Sequence, residues 1–303
     1  MRLFLVKAAC FLLPLAICMG LVAMLDPFGR FGGVAADPAD PRFQTASVIN
    51  PVLLKVLDIR AHPAVNITLG ASKMGAFTPE LLREVTGKEF RDLSLGGGSA
   101  NEMINLFWLA ARQAPLRHVI IGINVQDFNY FNDRDRVTET EATARNPLLY
   151  LVNRDVLEAS WSLARTRYFG APPPSAAPQM SRQEFWRVQV GEGAARNFAA
   201  FRFDRKAYLR FGEIAGYCRA HGVSLVFMIL PSHEDIHRRI RELGAEKAWR
   251  DLPGQVAALG EVHNYDVDGD LTGNAGNFSD PFHFTHEVAR RLLEDAWGAH
   301  PRG

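Results

Sequence analysis

The chain has 303 residues, 48% of them hydrophobic, and its 34 Lys and Arg residues are balanced by 33 Asp and Glu. This length allows one large hydrophobic core or two smaller ones. The formal net charge of +1 gives no reason to expect a nucleic-acid partner. Cys10 and Cys18 lie in the apolar N-terminal segment, so no disulfide is expected for Cys218 in the remainder of the chain.

The N-terminal segment is apolar and is preceded by basic residues. Residues 8–25 are uncharged, and Arg2 and Lys7 lie on their N-terminal side. An apolar stretch of about 18 residues is just long enough to cross a bilayer as a helix, and basic residues mark its cytoplasmic side. Residues 1–25 therefore predict a transmembrane anchor with the following domain outside the cytoplasm. A cleaved signal peptide is the alternative, and it leads to the same compartment.

Residues 26–60 predict a linker and lead-in, because Pro, Asp and Gly are frequent at their start. Strands and helices then alternate along the chain. The predicted strands are 64–69, 90–95, 118–124, 223–230 and 262–267. The predicted helices are 78–86, 99–113, 204–221, 234–249, 250–259 and 285–297. Residues 127–204 interrupt this order and contain three consecutive prolines, so they predict a mostly helical insertion.

Strands that alternate with helices predict a parallel sheet with helices on both faces. Right-handed connections make residues 61–303 a three-layer α/β/α sandwich with a central, mostly parallel five-stranded sheet. Ligands of such folds bind at the carboxyl ends of the strands. Ser72, Gly96–Gly98 and Asn124 all follow predicted strands at this edge, and His283 can reach it from the loop before the last helix.

These residues are of the types that nucleophilic acyl chemistry uses. Ser72 is a candidate nucleophile near a helix start, and Asp280 lies three residues before His283, a spacing that lets the carboxylate orient the imidazole. Backbone N–H groups of the glycine turn and the Asn124 amide are candidate donors to a developing oxyanion. Each residue taken singly also has a simpler interpretation, as a turn serine, a flexible turn, a strand-closing amide or a surface histidine.

Two further features at the same edge are weaker signals. His233 follows another predicted strand and is a candidate substrate contact or alternative base; otherwise Ser232 caps the next helix. Asp266, Asp268 and Asp270 resemble the start of a calcium loop, but the loop lacks the required Gly and the final Glu. Neither a metal nor a cofactor is therefore predicted.

The motifs Gly70-Ala71-Ser72, Gly96–Gly98, Gly122-Ile123-Asn124 and Asp280–His283 occur in one order along the chain. This order resembles the four blocks of the SGNH (GDSL-like) hydrolase superfamily, from about residue 64 to residue 297 apart from the insertion. More narrowly, the chain resembles membrane-anchored proteins of bacterial surface-polysaccharide machinery, including the alginate O-acetylation proteins.

The resemblance implies the flavodoxin-like SGNH hydrolase fold and a role for each motif. Ser72 would be the nucleophile, His283 the general base, and Asp280 the residue that orients His283. The backbone N–H of Ser72, Gly97 or a neighbouring glycine, and Asn124 would form the oxyanion hole. The implied substrate is a carbohydrate or another acyl ester, and the implied compartment is the periplasm, with an anchor in the inner membrane and polysaccharide-assembly proteins as partners.

The chain departs from the family pattern next to the serine. Ala71 occupies the position where the family often has Asp, and Lys73, a possible substrate contact, follows the serine. The expected activity is ester hydrolysis or transfer of an acyl group to a sugar hydroxyl of envelope or exported polysaccharide. Because of the departures, a catalytically inactive scaffold or glycan-binding protein of a polysaccharide assembly complex is the alternative. Phosphate binding at the glycine turn is disfavoured, since no Lys-Ser or Lys-Thr pair follows it.

Overall fold

The computed structural model describes residues 1–32, 39–175 and 180–298, and it describes no side chain of residues 2, 3, 5, 6 and 8–10. The chain divides into two compact units, which are Met1–His62 with Arg136–Ala177 and Pro63–Asp135 with Pro178–Gly303. The first unit is helical, and the second unit contains the sheet.

Helices outnumber strands along the described part of the chain. The α-helices are α1 (Arg2–Leu25), α2 (Pro41–Ile49), α3 (Pro51–Ala61), α4 (Pro79–Thr86), α5 (Ala100–Gln113), α6 (Arg136–Arg145), α7 (Pro147–Val152), α8 (Arg154–Phe169), α9 (Arg182–Val188), α10 (Ala194–Phe198), α11 (Arg205–His221), α12 (Glu234–Glu242), α13 (Glu246–Ala257), α14 (Asp270–Gly273) and α15 (His286–Gly298). The strands are β1 (Asn66–Gly70), β2 (Arg91–Asp92), β3 (His118–Ile123), β4 (Ser224–Ile229), β5 (Glu261–Asn264), β6 (Phe278–Asp280) and β7 (His283–Phe284). Short 3₁₀ turns cover Ser72–Ala76, Val125–Phe128 and Ala275–Asn277, and Gln189–Gly193 is a π-helical turn.

The first five strands form one parallel sheet with the order β2-β1-β3-β4-β5. This is the order of flavodoxin-like doubly wound sheets, whose ligands bind where the order reverses, which in this chain is between β1 and β3. Gly70 pairs with Gly122, and Gly122 pairs with Met228, so β1, β3 and β4 end side by side. The predicted α/β fold with a five-stranded parallel sheet is confirmed, and all its strand pairs are parallel.

Helices cover both faces of this sheet. On one face, α4 and α15 pack together over Ile120, Val226 and Met228 in a continuous apolar core. On the other face, α5 and α11 pack together, and the Phe211 ring of α11 meets the Phe227 ring of β4 at 6.3 Å between centroids. Both faces of the strands are therefore buried, which explains why β3 and β4 are nearly continuous apolar runs in the sequence.

The helix starts follow from local sequence. Thr78 caps α4 with its side chain, Pro79 occupies the first helical position, and Gly87 ends the helix in the left-handed conformation. Ser99 and Glu102 form a reciprocal capping box at the start of α5. These signals fix where each helix begins after its strand, and hence which residues remain in the loops at the sheet edge.

The predicted linker is largely helical. Asp40 and Asn50 cap α2 and α3, and Pro41 and Pro51 occupy the first position of each helix. Helix α3 is buried along one face and packs on α6 within the first unit. The prediction of a linker at 26–60 was wrong for α2 and α3, because their proline and polar residues start helices there.

The predicted insertion at 127–204 is also divided differently. Its central part forms α6, α7 and α8, which belong to the first unit together with α1, α2 and α3. Its last part, with α9, the π-helical turn and α10, belongs to the second unit. The helical character was predicted, but a helix pattern by itself does not state which core the apolar face joins.

The N-terminal segment forms α1, with Pro14 inside it. Within the first unit, α1 packs on α7 and α8, and the Tyr150 hydroxyl donates to Asp26 Oδ1 at 2.9 Å directly after the helix. Among the residues that the structure describes, no helix is both long enough and apolar enough to span a membrane, in contrast to the anchor predicted for residues 1–25.

Candidate active site

Two glycines allow the ends of β1 and β3 to come close together. A Cβ atom added at Gly70 would lie 2.7 Å from the Gly122 carbonyl oxygen. A Cβ atom added at Gly122 would lie 2.6 Å from Met74 Cγ and 2.8 Å from Leu230 Cδ1. The Met74 side chain, which follows Ser72 in the same turn, fills the space that these glycines leave open. Close packing therefore requires glycine at the first position of the Gly70-Ala71-Ser72 motif and of the Gly122-Ile123-Asn124 motif.

Ser72, His283 and Asp280 form a hydrogen-bonded chain. Ser72 Oγ lies 2.6 Å from His283 Nε2, and His283 Nδ1 lies 2.7 Å from Asp280 Oδ2. The other Asp280 oxygen accepts the backbone N–H groups of Phe282 and His283 at 2.9 and 3.2 Å. An imidazole that donates from Nδ1 to a carboxylate presents Nε2 as an acceptor to the serine hydroxyl. The three side chains are therefore arranged for proton transfer from serine to histidine.

The environment keeps Asp280 ionised. Burial by itself would raise the pKa of this carboxyl, but the hydrogen bond and charge of His283, with two backbone N–H groups, outweigh burial and hold its pKa below the usual range. The His283 side chain is 34% exposed, whereas the Asp280 side chain is 9% exposed. The histidine thus faces the cleft, while the carboxylate behind it is shielded from solvent.

A short antiparallel ribbon carries this pair. Strands β6 and β7 pair with Asp280 opposite His283. Phe278 and Phe284 are buried in the core of the sheet, and the Phe284 ring meets Phe77 edge-on at 5.7 Å. This ribbon was not predicted from the sequence. In the sequence, this ribbon is indicated only by the apolar residues on either side of the Asp280–His283 turn.

The glycine turn after β2 provides one candidate oxyanion donor. Gly97 lines the cleft with φ +60°, and its N–H donates no hydrogen bond within the described part of the chain. The N–H of Gly98 instead donates to the Leu95 carbonyl at 2.8 Å. Arg134 donates to the Gly97 carbonyl at 3.1 Å. Of the glycines that the sequence left open, Gly97 is therefore the one whose N–H is available in the cleft.

Asn124 is placed differently from the prediction. Its side chain is buried, its Nδ2 donates to the Leu230 carbonyl at 2.5 Å, and it is not among the residues that line the cleft. Its backbone N–H donates to Asp127 Oδ2 at 2.7 Å, and burial raises the pKa of Asp127 to about 7. Asn124 thus lies at the predicted end of β3, but its side-chain amide donates to the Leu230 carbonyl directly after β4.

Lys73 and His233 are the predicted substrate contacts, and the polar groups of both have partners within the protein. Lys73 is among the residues that line the cleft, but its ammonium is buried and donates to the Leu230 carbonyl at 3.2 Å and to Ser232 Oγ at 2.8 Å. His233 caps α12 by accepting the Asp235 N–H, and its ring meets Trp186 at 4.8 Å. His233 is buried and is absent from the cleft lining, and burial lowers its pKa. It acts as a helix cap, which was predicted for Ser232.

The cleft beside Ser72 has a volume of about 440 Å³. Its lining includes Arg134, Arg196 and the ring of Phe131, which is 62% exposed. The lining is also rich in side-chain amides, namely Gln126, Asn129, Asn132, Gln189 and Asn197. Sequence reasoning missed these residues because nearly all of them lie in the segment interpreted as an insertion. The polar and aromatic cluster directly after β3 was the available signal.

Two of the three aspartates that resemble the start of a calcium loop contact a histidine instead. His237 lies 3.0 Å from Asp266 Oδ1 through Nε2 and 2.8 Å from Asp268 Oδ1 through Nδ1. Burial would lower the pKa of His237, but the two carboxylates outweigh it and raise this pKa. In the described ranges, no group of three or more His, Cys, Asp and Glu residues is arranged to hold a metal ion.

Comparison with known proteins gives weak similarities. No family model and no curated protein matches the chain. One similar solved structure is a protein from Streptococcus pneumonia, provisionally named as a platelet activating factor, with a TM-score of 0.42, 10% identity, and coverage of 82% of this chain and 90% of that one. Another is a protein from Bacteroides fragilis NCTC 9343, provisionally named as an acylhydrolase, with a TM-score of 0.41, 11% identity, and coverage of 79% and 92%. Similarities at this level carry no argument about the present chain.

Proposed function

We propose that the chain is a serine-dependent acyl hydrolase or acyltransferase of the SGNH type. The observation that supports this most strongly is the hydrogen-bonded chain from Ser72 Oγ through His283 to Asp280. It stands in an open cleft at the carboxyl edge of the sheet, where the strand order reverses. Ser72 and His283 are 211 positions apart in sequence, so it is the tertiary fold that brings them into this contact.

The proposed reaction has two steps. His283 Nε2 takes the hydroxyl proton as Ser72 Oγ bonds to the ester carbonyl carbon, and the N–H groups of Ser72 and Gly97 face the developing oxyanion. The imidazolium then returns the proton to the departing alkoxide, and the C–O bond of the ester breaks. Water or a sugar hydroxyl attacks the acyl-serine in the second step, which regenerates Ser72. Water gives esterase activity, and a sugar gives O-acyltransferase activity.

The cleft lining supports a carbohydrate ester as the substrate. Side-chain amides donate and accept hydrogen bonds and so suit hydroxyl groups, and the exposed Phe131 ring offers a flat apolar surface. The sequence alone supports the other parts of the proposal. These are an extracytoplasmic location, attachment to the inner membrane through residues 1–25, and assembly with other proteins that act on envelope or exported polysaccharide.

A fluorophosphonate probe tests the chemistry without knowledge of the natural substrate. Ser72 Oγ would bond to phosphorus, fluoride would leave, and His283 would take the proton. We expect labelling of the wild type and of Ser224→Ala, which removes an exposed serine at the opposite edge of the same sheet. Ser72→Ala should not be labelled, and His283→Ala should be labelled at least about 10³-fold more slowly. A folded wild type that remains unlabelled would refute the proposal.

The position of Asn124 favours a second candidate function. Because its amide donates to Leu230, Asn124 does not supply the side-chain donor that the resemblance implies for the oxyanion hole. A non-catalytic scaffold or glycan-binding protein would need no third donor. That function predicts glycan binding that is unchanged in Ser72→Ala and His283→Ala, together with no labelling of the wild type. Isothermal titration with envelope oligosaccharides distinguishes the two candidates.

A further inference from the structure

Lys73 is a buried cation directly beside the proposed nucleophile. It follows Ser72 in the same 3₁₀ turn, and it is 4% exposed. A buried ammonium is costly unless hydrogen bonds and opposite charges compensate it. Its hydrogen bonds to the Leu230 carbonyl and to Ser232 Oγ provide part of that compensation.

These hydrogen bonds connect three strand ends. The Leu230 carbonyl, directly after β4, accepts both Lys73 Nζ and Asn124 Nδ2. The Leu230 N–H in turn donates to the Ile123 carbonyl at the end of β3. Lys73 therefore ties the turn that carries Ser72, after β1, to the segments after β3 and β4. Removal of this tie would free the turn to move relative to His283.

Nearby acidic groups supply the opposite charge. Burial lowers the pKa of Lys73 to about 8, and Asp266, Asp127 and Asp280 act against this shift, although burial raises the pKa of Asp127 itself to about 7. The ammonium form of Lys73 therefore predominates at neutral pH. Asp280 is also the hydrogen-bond partner of His283. Asp266 accepts the Ser232 N–H at 2.7 Å and contacts His237, so it faces the ammonium from the loop after β5.

We propose that Lys73 is a positioning residue of this site, whose ammonium holds the Ser72 turn in place against the segments after β3 and β4. The inference rests on the proposed function, because it assigns a role in the Ser72 reaction. Lys73 lines the cleft, but its ammonium donates to Leu230 and Ser232, so its role is to position Ser72. The ammonium and its acceptor on Ser232 can each be removed, and each removal has its own test.

The test of the ammonium is the pH dependence of fluorophosphonate labelling, measured from pH 5 to pH 9. We expect the wild-type rate to fall above about pH 8, as Lys73 loses its proton and its charged hydrogen bonds to Leu230 and Ser232 weaken. Lys73→Met should be labelled more slowly than wild type below pH 8 and should lack this fall. The control is Lys247→Met, which replaces a lysine whose side chain is 87% exposed and should keep the wild-type profile.

The test of the tie is Ser232→Ala, which removes the closer acceptor of the Lys73 ammonium and keeps its charge. We expect a labelling rate about 3- to 10-fold lower than that of wild type, since the turn is held less firmly. This variant also covers the case in which Lys73→Met does not fold, as judged by circular dichroism. It would then show the tie through its rate.

The outcomes separate the inference from the proposed function. If the wild type is not labelled, the proposed function fails. If the wild type is labelled but Lys73→Met keeps the wild-type rate and the fall above pH 8, the role of the ammonium is overturned while the proposed function stands. A Ser232→Ala labelling rate equal to that of wild type would overturn the tie.

Discussion

The contact between Met74 and the end of β3 is a packing feature on which the position of Ser72 depends. Gly122→Ala would place a Cβ atom 2.6 Å from Met74 Cγ and 2.8 Å from Leu230 Cδ1. Favourable carbon–carbon contacts lie at about 3.5–4.0 Å, so the neighbours must move apart by roughly 1 Å. Met74 is 1% exposed and has little free space to enter.

This displacement acts on both stability and reactivity. Overpacking of a closed core costs about 1–3 kcal/mol of unfolding free energy. Met74 lies two residues after Ser72 in one turn, so whatever part of this displacement the Met74 side chain does not absorb by rotating moves the turn, and with it the hydroxyl that lies 2.6 Å from His283. Misplacement of a reacting group by roughly 1 Å costs about 100-fold in rate. We therefore expect Gly122→Ala to unfold at lower urea concentration and to be labelled by fluorophosphonate up to about 100-fold more slowly.

A double-mutant cycle identifies the cause. Met74→Ala alone should cost about 2–5 kcal/mol because it leaves a cavity. In Gly122→Ala with Met74→Ala, the new methyl enters that cavity, so the combined loss should be smaller than the sum by about 1 kcal/mol or more. Urea unfolding followed by tryptophan fluorescence measures the free energies, and the probe measures the reactivity. Additive losses, or a Gly122→Ala protein that matches wild type in both assays, would refute the packing argument.

Three further changes test other parts of the site. Asp280→Asn should slow labelling by roughly 10³- to 10⁴-fold at neutral pH, since the amide no longer favours the required histidine tautomer; a loss of less than about 10-fold would mean that Asp280 does not orient His283. Asp127→Asn should alter the pH dependence of stability, because burial raises the pKa of Asp127 to about 7 in the folded protein. The stabilisation that the protonated Asp127 carboxyl contributes to the folded state is fully present below the pKa of this carboxyl in the unfolded chain, and it is lost as the pH rises towards 7. The unfolding free energy of the variant relative to wild type should therefore rise between about pH 4 and pH 7, by at most about 1.4 kcal/mol per pH unit, and parallel urea-unfolding curves would contradict this. His233→Ala should lower stability by about 1–2 kcal/mol through loss of a helix cap and leave the labelling rate within about twofold of wild type, whereas a large loss of rate would restore His233 as a candidate base.

The strands of the sheet show how well local sequence pattern predicts the bounds of secondary structure. The predicted strands at 118–124 and 223–230 became β3 and β4 with bounds changed by at most one residue, because apolar runs between turn residues have few alternatives in a covered sheet. The strand at 90–95 shortened to the two residues of β2, because an edge strand has a single neighbour to define its length.

The helical segments show what local sequence pattern does not predict, which is the part of the protein against which each helix packs. A helix start is a matter of a few neighbouring residues, so caps such as Thr78 and Ser99 could be identified in the sequence. The surface against which an apolar helix face packs is formed by residues that are distant in sequence. Helices α2 and α3 were therefore interpreted as a linker, and α6 to α8 were assigned to the sheet domain although they pack in the first unit.

The sequence by itself determined that an α/β sheet would form and that Ser72, Gly97 and Asn124 would follow its strands, because strand period, helix caps and glycine turns are local properties. Only the tertiary structure decided where the polar groups of these loops point. It brought His283 to Ser72 across the ribbon of β6 and β7, and it turned the Asn124 amide and the Lys73 ammonium towards Leu230. The physical reason is that a buried donor takes the acceptor that folding places within reach, and that acceptor comes from a distant part of the chain.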